Sequence, residues 1–388
     1  MITRIIIIIL ILFLALLIIL PVILNSLGVP IFTQSGGGGG SANSDLRDAM
    51  LVYSPDGGGR WQLPEFERGD KGALPSGILD MAFDFGDGSL IFAGTKGAGL
   101  WKSMDAGAHW APVRDTNNVL SQGGDVYKIA LSRSRPEVMY LAVFQDKRGR
   151  VLKSEDRGAS FREVYAVTQD RYGVFDIYVS LFSPDEVMIA TGEGRLLESR
   201  NSGATWRLVR TFTEPVMMLL VNPAFPSERY AVTSSGAISH TFDGGRTWAA
   251  VKGVSDSGGV VSNGEIHNPY ASWNLGFTST ASFALALDPR NPATLYLARG
   301  ESLFNSFDGG YSWSRLTSLI AGKGTVLGGV AVHPNDSQVL FVSAGADVYR
   351  SADAGITWSV KMLGTKLPLK KIFIHPRKPD IIFIVVRS

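Results

Sequence analysis

The chain has no cysteine. Disulfides, thiolate nucleophiles and zinc–thiolate sites are therefore excluded, and a fold exported from the cytoplasm must close by packing alone. Histidine is scarce as well. His109, His240, His267, His333 and His375 are scattered rather than grouped, and the last two repeat one strand-end turn, so neither a metal nor another cofactor is expected. Charged residues make up only 19% and the formal net charge is +2. Nucleic-acid binding needs a concentrated basic face to displace counterions, so a nucleic-acid partner is excluded.

What the chain does have is 45% hydrophobic residues and 44 glycines, a globular composition with many tight turns. Residues 5–24 carry no charge and are broken only by Pro21, a run long enough to cross the hydrocarbon layer as a helix. Arg4 precedes it and no basic cluster follows, which by the positive-inside rule places residues 1–4 in the cytoplasm and everything later outside. The run is longer than a secretory signal core and lacks a small-residue cleavage site, so an uncleaved membrane anchor is expected. Residues 25–48 contain Ser35, five consecutive glycines and a Ser/Ala/Asn stretch, a flexible tether. Residues 49–388 form the folded domain.

That domain is a repeat. The pattern Ser/Thr-x-Asp-x-Gly-x-x-Trp occurs seven times, with its acidic position at Asp56, Asp105, Asp156, Asn201, Asp243, Asp308 and Asp353. Only Asn201 and Phe161, which stands at the aromatic position, depart from it. The chemistry is that of a hairpin turn: the carboxylate accepts backbone N–H groups, the glycine supplies a positive φ, and the aromatic starts the next strand and covers the turn. Each carboxylate is expected to be satisfied by its own turn. One per box is far fewer oxygens than calcium takes.

Around each box lie short apolar runs separated by Pro/Asn and Gly turns, as from Phe283 to Phe304 and from Val330 to Phe341, giving four antiparallel strands per unit. After the last box the chain supplies only a first and second strand, between Lys371 and Arg387. At the start, 49–54, the box at Asp56 and Trp61 supply a third and fourth. The expected fold is all-β: a seven-bladed β-propeller whose terminal strands share one blade, leaving no open edge, preceded by one transmembrane helix.

The seven boxes and this blade grammar resemble the BNR/Asp-box superfamily. A seven-bladed ring of this size without cysteine is most similar to the photosystem II stability/assembly factor-like propellers. Sortilin-type domains share the motif but have ten blades and a cysteine-rich module. Sialidases carry an Arg-Ile-Pro type motif, absent here, and xyloglucan-hydrolysing propellers pair two rings. The resemblance implies the fold; the boxes lie away from family binding sites, so it says little of activity.

In such a blade the box turn and the Pro-rich turn share one face, so the variable connections fall on the other, the loop face. Successive box spacings are 49, 51, 45, 42, 65 and 45. The interval from Asp243 to Asp308 thus holds about twenty extra residues, including Glu265, His267, Tyr270 and Trp273, a composition suited to a binding loop. Mixed charge at Lys147, Arg148, Arg299 and Glu301 suits a protein-docking face. Glycoside hydrolysis would need two carboxylates at a set separation; Asp146, Glu193, Glu301 and Asp347 lie on the same face, but no catalytic residue is assigned. The expected function is a membrane-tethered, extracytoplasmic propeller that binds a protein or peptide as an assembly scaffold, the alternative being a glycan-binding or glycoside-hydrolysing one.

Overall fold

The computed structural model describes residues 46, 49–67, 75–251, 283–319, 321–322 and 324–386. Within them the chain forms seven sheets. Blade 1 consists of Ile78–Phe83, Ile91–Thr95, Leu100–Ser103 and His109–Pro112; blade 2 of Asp125–Leu131, Met139–Gln145, Arg148–Ser154 and Arg162–Ala166. Blade 3 comprises Val174–Val179, Val187–Thr191, Arg195–Ser199 and Arg207–Thr211; blade 4, Val216–Val221, Arg229–Thr233, Ile238–Thr241 and Ala249–Ala250. Blade 5 runs through Phe283–Leu287, Leu295–Arg299, Ser302–Ser306 and Ser314–Arg315, and blade 6 through Leu327–His333, Asp336–Ala344, Asp347–Ser351 and Ser359–Met362.

Blade 7 joins the two ends of the domain. Lys371–Ile374 pairs with Ile382–Val385, which pairs in turn with Leu51–Ser54, so that Leu51 lies opposite Val385 and Tyr53 opposite Phe383. The expected fourth strand after Trp61 is reduced to one bridge between Tyr53 and Gln62. The chain then turns to add Glu65–Phe66 in parallel to the outer strand of blade 1, which has five strands where four were expected.

Seven hydrophobic clusters hold the described residues together, each spanning two neighbouring blades. Trp101, Trp110, Leu51 and Phe383 join blade 7 to blade 1, and Phe341, Val348, Ile372 and Ile384 join blade 6 to blade 7. The remaining boundaries are filled in the same way, down to the smallest cluster of Ala190, Val216 and Ala231 between blades 3 and 4. Burial of that apolar surface, at about 25 cal/mol per Å², is what closes a ring that has no disulfide.

Every box is a hydrogen-bonded turn of one design. The hydroxyl of Ser54, Ser103, Ser154, Ser199, Thr241, Ser306 or Ser351 donates to the acidic side chain at 2.7 to 3.0 Å. It also accepts the box glycine's N–H at 2.8 to 3.0 Å. The acidic side chain accepts the N–H four residues on at 2.8 to 2.9 Å. Not only the glycine but also the residue before it has positive φ, and at Ala106, Arg157, Ser202 and Ala354 that residue is not glycine.

The apolar run 5–24 and the linker lie outside the described residues, except for Leu46 of the expected tether, which is buried in the cluster that joins blade 6 to blade 7. Among the described residues no helix is long and apolar enough to cross a membrane.

Candidate functional site

Backbone hydrogen bonds sort the turns into two faces. Each box turn receives a carbonyl from the turn between the first and second strands of its own blade, as in Ala106 N–H to Ser89 O and Gly57 N–H to Asp380 O. Turns between second and third strands instead bond the connections between blades: Gly149 N–H to Tyr172 O, Phe212 N–H to Gly194 O, Leu327 N–H to Gly300 O. The second set makes up the loop face.

On that face the charged residues singled out in the sequence are mostly braced. Arg148 donates from Nε and Nη2 to Asp170 Oδ1 at 3.0 and 2.7 Å. Lys147 and Asp146 form the hairpin tip with positive φ, and the Lys147 carbonyl accepts Arg171 N–H. Glu301 Oε2 accepts the N–H of Gly324 at 3.0 Å, tying the blade 5 turn to the next connection. Glu193 accepts the Thr168 hydroxyl at 2.8 Å and lies 3.3 Å from Arg195. Arg299 ends the second strand of blade 5, half-buried. Asp347 opens the third strand of blade 6, and burial pushes its carboxyl above the usual range. Glu265, His267, Tyr270 and Trp273 lie outside the described residues.

The structure brings together a second group of charges that the motif reading did not identify. The innermost strands of blades 1, 2, 3 and 7 carry Asp80, Lys128, Asp176 and Lys371 near the loop-face end of the ring axis. Lys128 Nζ stands 3.4 Å from Asp176 Oδ1 and 3.9 Å from Asp80 Oδ2. Asp80 accepts Ile129 N–H at 2.9 Å and Asp176 accepts Leu219 N–H at 2.7 Å, so each carboxylate also bonds the next blade. Lys371 Nζ donates to the Leu79 carbonyl. Asp176 and Asp80 drive the Lys128 pKa well up and hold it protonated. Burial pushes Asp176 up against the pull of Lys128. The sequence signal was a single charge set in the apolar first strand just past a register shift, as in Ile78-Leu79-Asp80 and Val174-Phe175-Asp176.

His375 and His333 are structural, as their repeated turn implies. His375 is fully buried, its Nδ1 accepts the N–H groups of Arg377 and Lys378 at 3.1 Å, and its Nε2 donates to Gly88 O at 2.9 Å. His333 Nδ1 accepts Asn335 N–H. Trp101, outside the boxes, is a core residue whose indole N–H donates to Ala98 O at 2.9 Å. Among the described residues no group of His, Asp or Glu is arranged to hold a metal ion.

No protein-family model matches the sequence. The oligoxyloglucan-reducing end-specific xyloglucanase of Emericella nidulans is 26% identical over 197 residues, 42% of this chain and 22% of its own length. Among solved structures, the GH74 xyloglucanase from Xanthomonas campestris is similar with a TM-score of 0.59 and 17% identity, covering 81% of this chain and 52% of that one. YCF48 bound to D1 peptide is similar with a TM-score of 0.57 and 16% identity, covering 80% of this chain and 93% of that one. The chain thus spans about a fifth of the curated relative and half of the xyloglucanase structure. It is a seven-bladed β-propeller resembling both the xyloglucanases and YCF48, as the box resemblance implied.

Proposed function

We propose that this propeller is a membrane-tethered, extracytoplasmic scaffold that binds a protein or peptide through its loop face. The observation that carries this reading is the state of the loop-face carboxylates. Glu193 and Glu301 each accept a hydrogen bond from a neighbouring loop, which suits a firm, charge-rimmed docking platform. The likeness of the ring to YCF48 bound to D1 peptide supports it too. The apolar run 5–24 supports the tether.

A photo-crosslinking residue at position 299 of the full chain, in cells, tests the docking claim. Discrete protein adducts that vanish in Lys147→Glu/Arg148→Glu support it, and absence of any adduct contradicts it. Membrane fractionation with and without residues 1–24 tests the tether. The similarity to xyloglucanases and the raised Asp347 carboxyl favour a second reading, a glycan-active ring. Turnover of xyloglucan oligosaccharides that is lost in Asp347→Asn would decide for it.

A further inference from the structure

The repeat is an internal ruler for its own edges. Ser103 and Trp110 in blade 1 correspond to Thr241 and Trp248 in blade 4. In blade 1 the outer strand is covered by the segment 65–67, whose Glu65 and Glu67 N–H groups donate to the carbonyls of Ala108 and Trp110 at 2.7 Å. Side chains of such a strand alternate between faces. Phe66 lies against Trp101 and Trp110 at centroid distances of 5.5 and 5.9 Å, while Glu67 lines a cleft of about 360 Å³ toward the blade 2 box, with Lys102 and Arg114.

Blade 4 repeats this construction with two differences. Its outer strand Ala249–Ala250 leaves both residues exposed, and among the described residues no fifth strand covers it. Its cleft toward blade 5, about 410 Å³, is aromatic where that of blade 1 is charged: His240, Phe242, Trp248 and Tyr311 line it. Phe242 and Tyr311 are stacked, 5.2 Å apart at 12°, yet are 48% and 61% exposed. Buried His240 lies beneath, its ring 3.8 Å from Phe242 and stacked on Tyr230 at 4.5 Å. Two stacked rings exposed over a preformed cleft offer a seat for an added apolar side chain.

We propose that the outer edge of blade 4 takes up an extended peptide segment of a partner protein as a fifth strand, with one aromatic or large aliphatic side chain seated in the cleft of His240, Phe242, Trp248 and Tyr311. The carbonyls of Arg246 and Trp248, matching Ala108 and Trp110, are its hydrogen-bond acceptors. The alternation that sends Phe66 to one face and Glu67 to the other fixes the strand's pattern. The residue at the Glu67 position enters the cleft, and an apolar group replaces the carboxylate because His240, Phe242 and Tyr311 line the cleft where Lys102 lines that of blade 1. This surface is separate from the loop face.

The test is selection of a phage-displayed random dodecapeptide library on the immobilised full chain, followed by fluorescence anisotropy with the selected peptides. Enrichment of peptides with an aromatic in an extended, alternating context is expected. Their dissociation constant should rise at least tenfold in Phe242→Ser/Tyr311→Ser, stay within about twofold in Tyr311→Phe, and not respond to Arg148→Glu on the loop face. Thermal melting of each variant separates lost binding from lost folding. Peptides indifferent to Phe242 and Tyr311 overturn the proposal. So does binding that emerges only after excision of 253–280, which would make that segment the occupant, or saturation of the cleft by xyloglucan oligosaccharides in place of peptide.

Discussion

At the scale of single residues, the boxes show how eight positions specify a turn. The residue before the aromatic is always a polar donor that closes on the acidic side chain: Arg60, His109, Ser160, Thr247, Ser312 and Thr357. At Asn201 the direction reverses, and its amide donates to Thr205 Oγ1 at 2.9 Å. Nature's own Asp-to-Asn exchange thus keeps the bonds. The hydroxyl and N–H of Thr357 hold the Asp353 carboxyl down at about 2. A depressed carboxyl stabilises the fold fully above its unfolded value, about 3.9, and loses that contribution as the pH falls toward the folded one. In Asp353→Asn the melting temperature at pH 7 should stay within about 2 °C of the parent and fall less steeply between pH 4 and 2. Asp353→Ala should melt several degrees lower at pH 7. Thermal melts across pH check both.

At the scale of elements, the hairpins lean on their neighbours. Gly107 has φ of +99°, and a Cβ there would lie 2.2 Å from Cζ of Phe383 in blade 7. Gly107→Ala should therefore cost about 3 kcal/mol by urea denaturation, from backbone strain and overpacking together. Turns of this kind were legible in the sequence because every partner of Ser103 and Asp105 lies within four residues. The strand order followed from the repeat, and blade sharing from the two incomplete ends. What sequence did not reveal depends on contacts across blades. Asp80 finds Lys128 and Ile129 nearly fifty residues on, and Phe66 finds Trp101 and Trp110 from within a stretch that reads as a loop. A local pattern holds no register for such pairs.

At the scale of the molecule, closure rests on the two ends of the domain meeting in blade 7. His375 is one clasp, bonding Gly88 of blade 1, and burial depresses its pKa below the usual imidazole value. Such a histidine stabilises the fold fully above about pH 6.5, its unfolded value, and progressively less as the pH falls below it. His375→Leu should lose about 1–3 kcal/mol at pH 7.5 and respond less to acidification between pH 6.5 and 5. Urea titrations at several pH values read both effects.

The most direct test of ring closure uses the absence of native cysteine. Leu51 and Val385 are directly opposed in the antiparallel pair that joins the two ends, where Cα atoms stand about 4.5–5.5 Å apart, within disulfide reach. Leu51→Cys/Val385→Cys, oxidised and analysed by non-reducing mass spectrometry of its peptides, should give one intrachain disulfide linking these positions in nearly every molecule. Free thiols throughout, or disulfides only between molecules, would contradict a ring closed by its own ends.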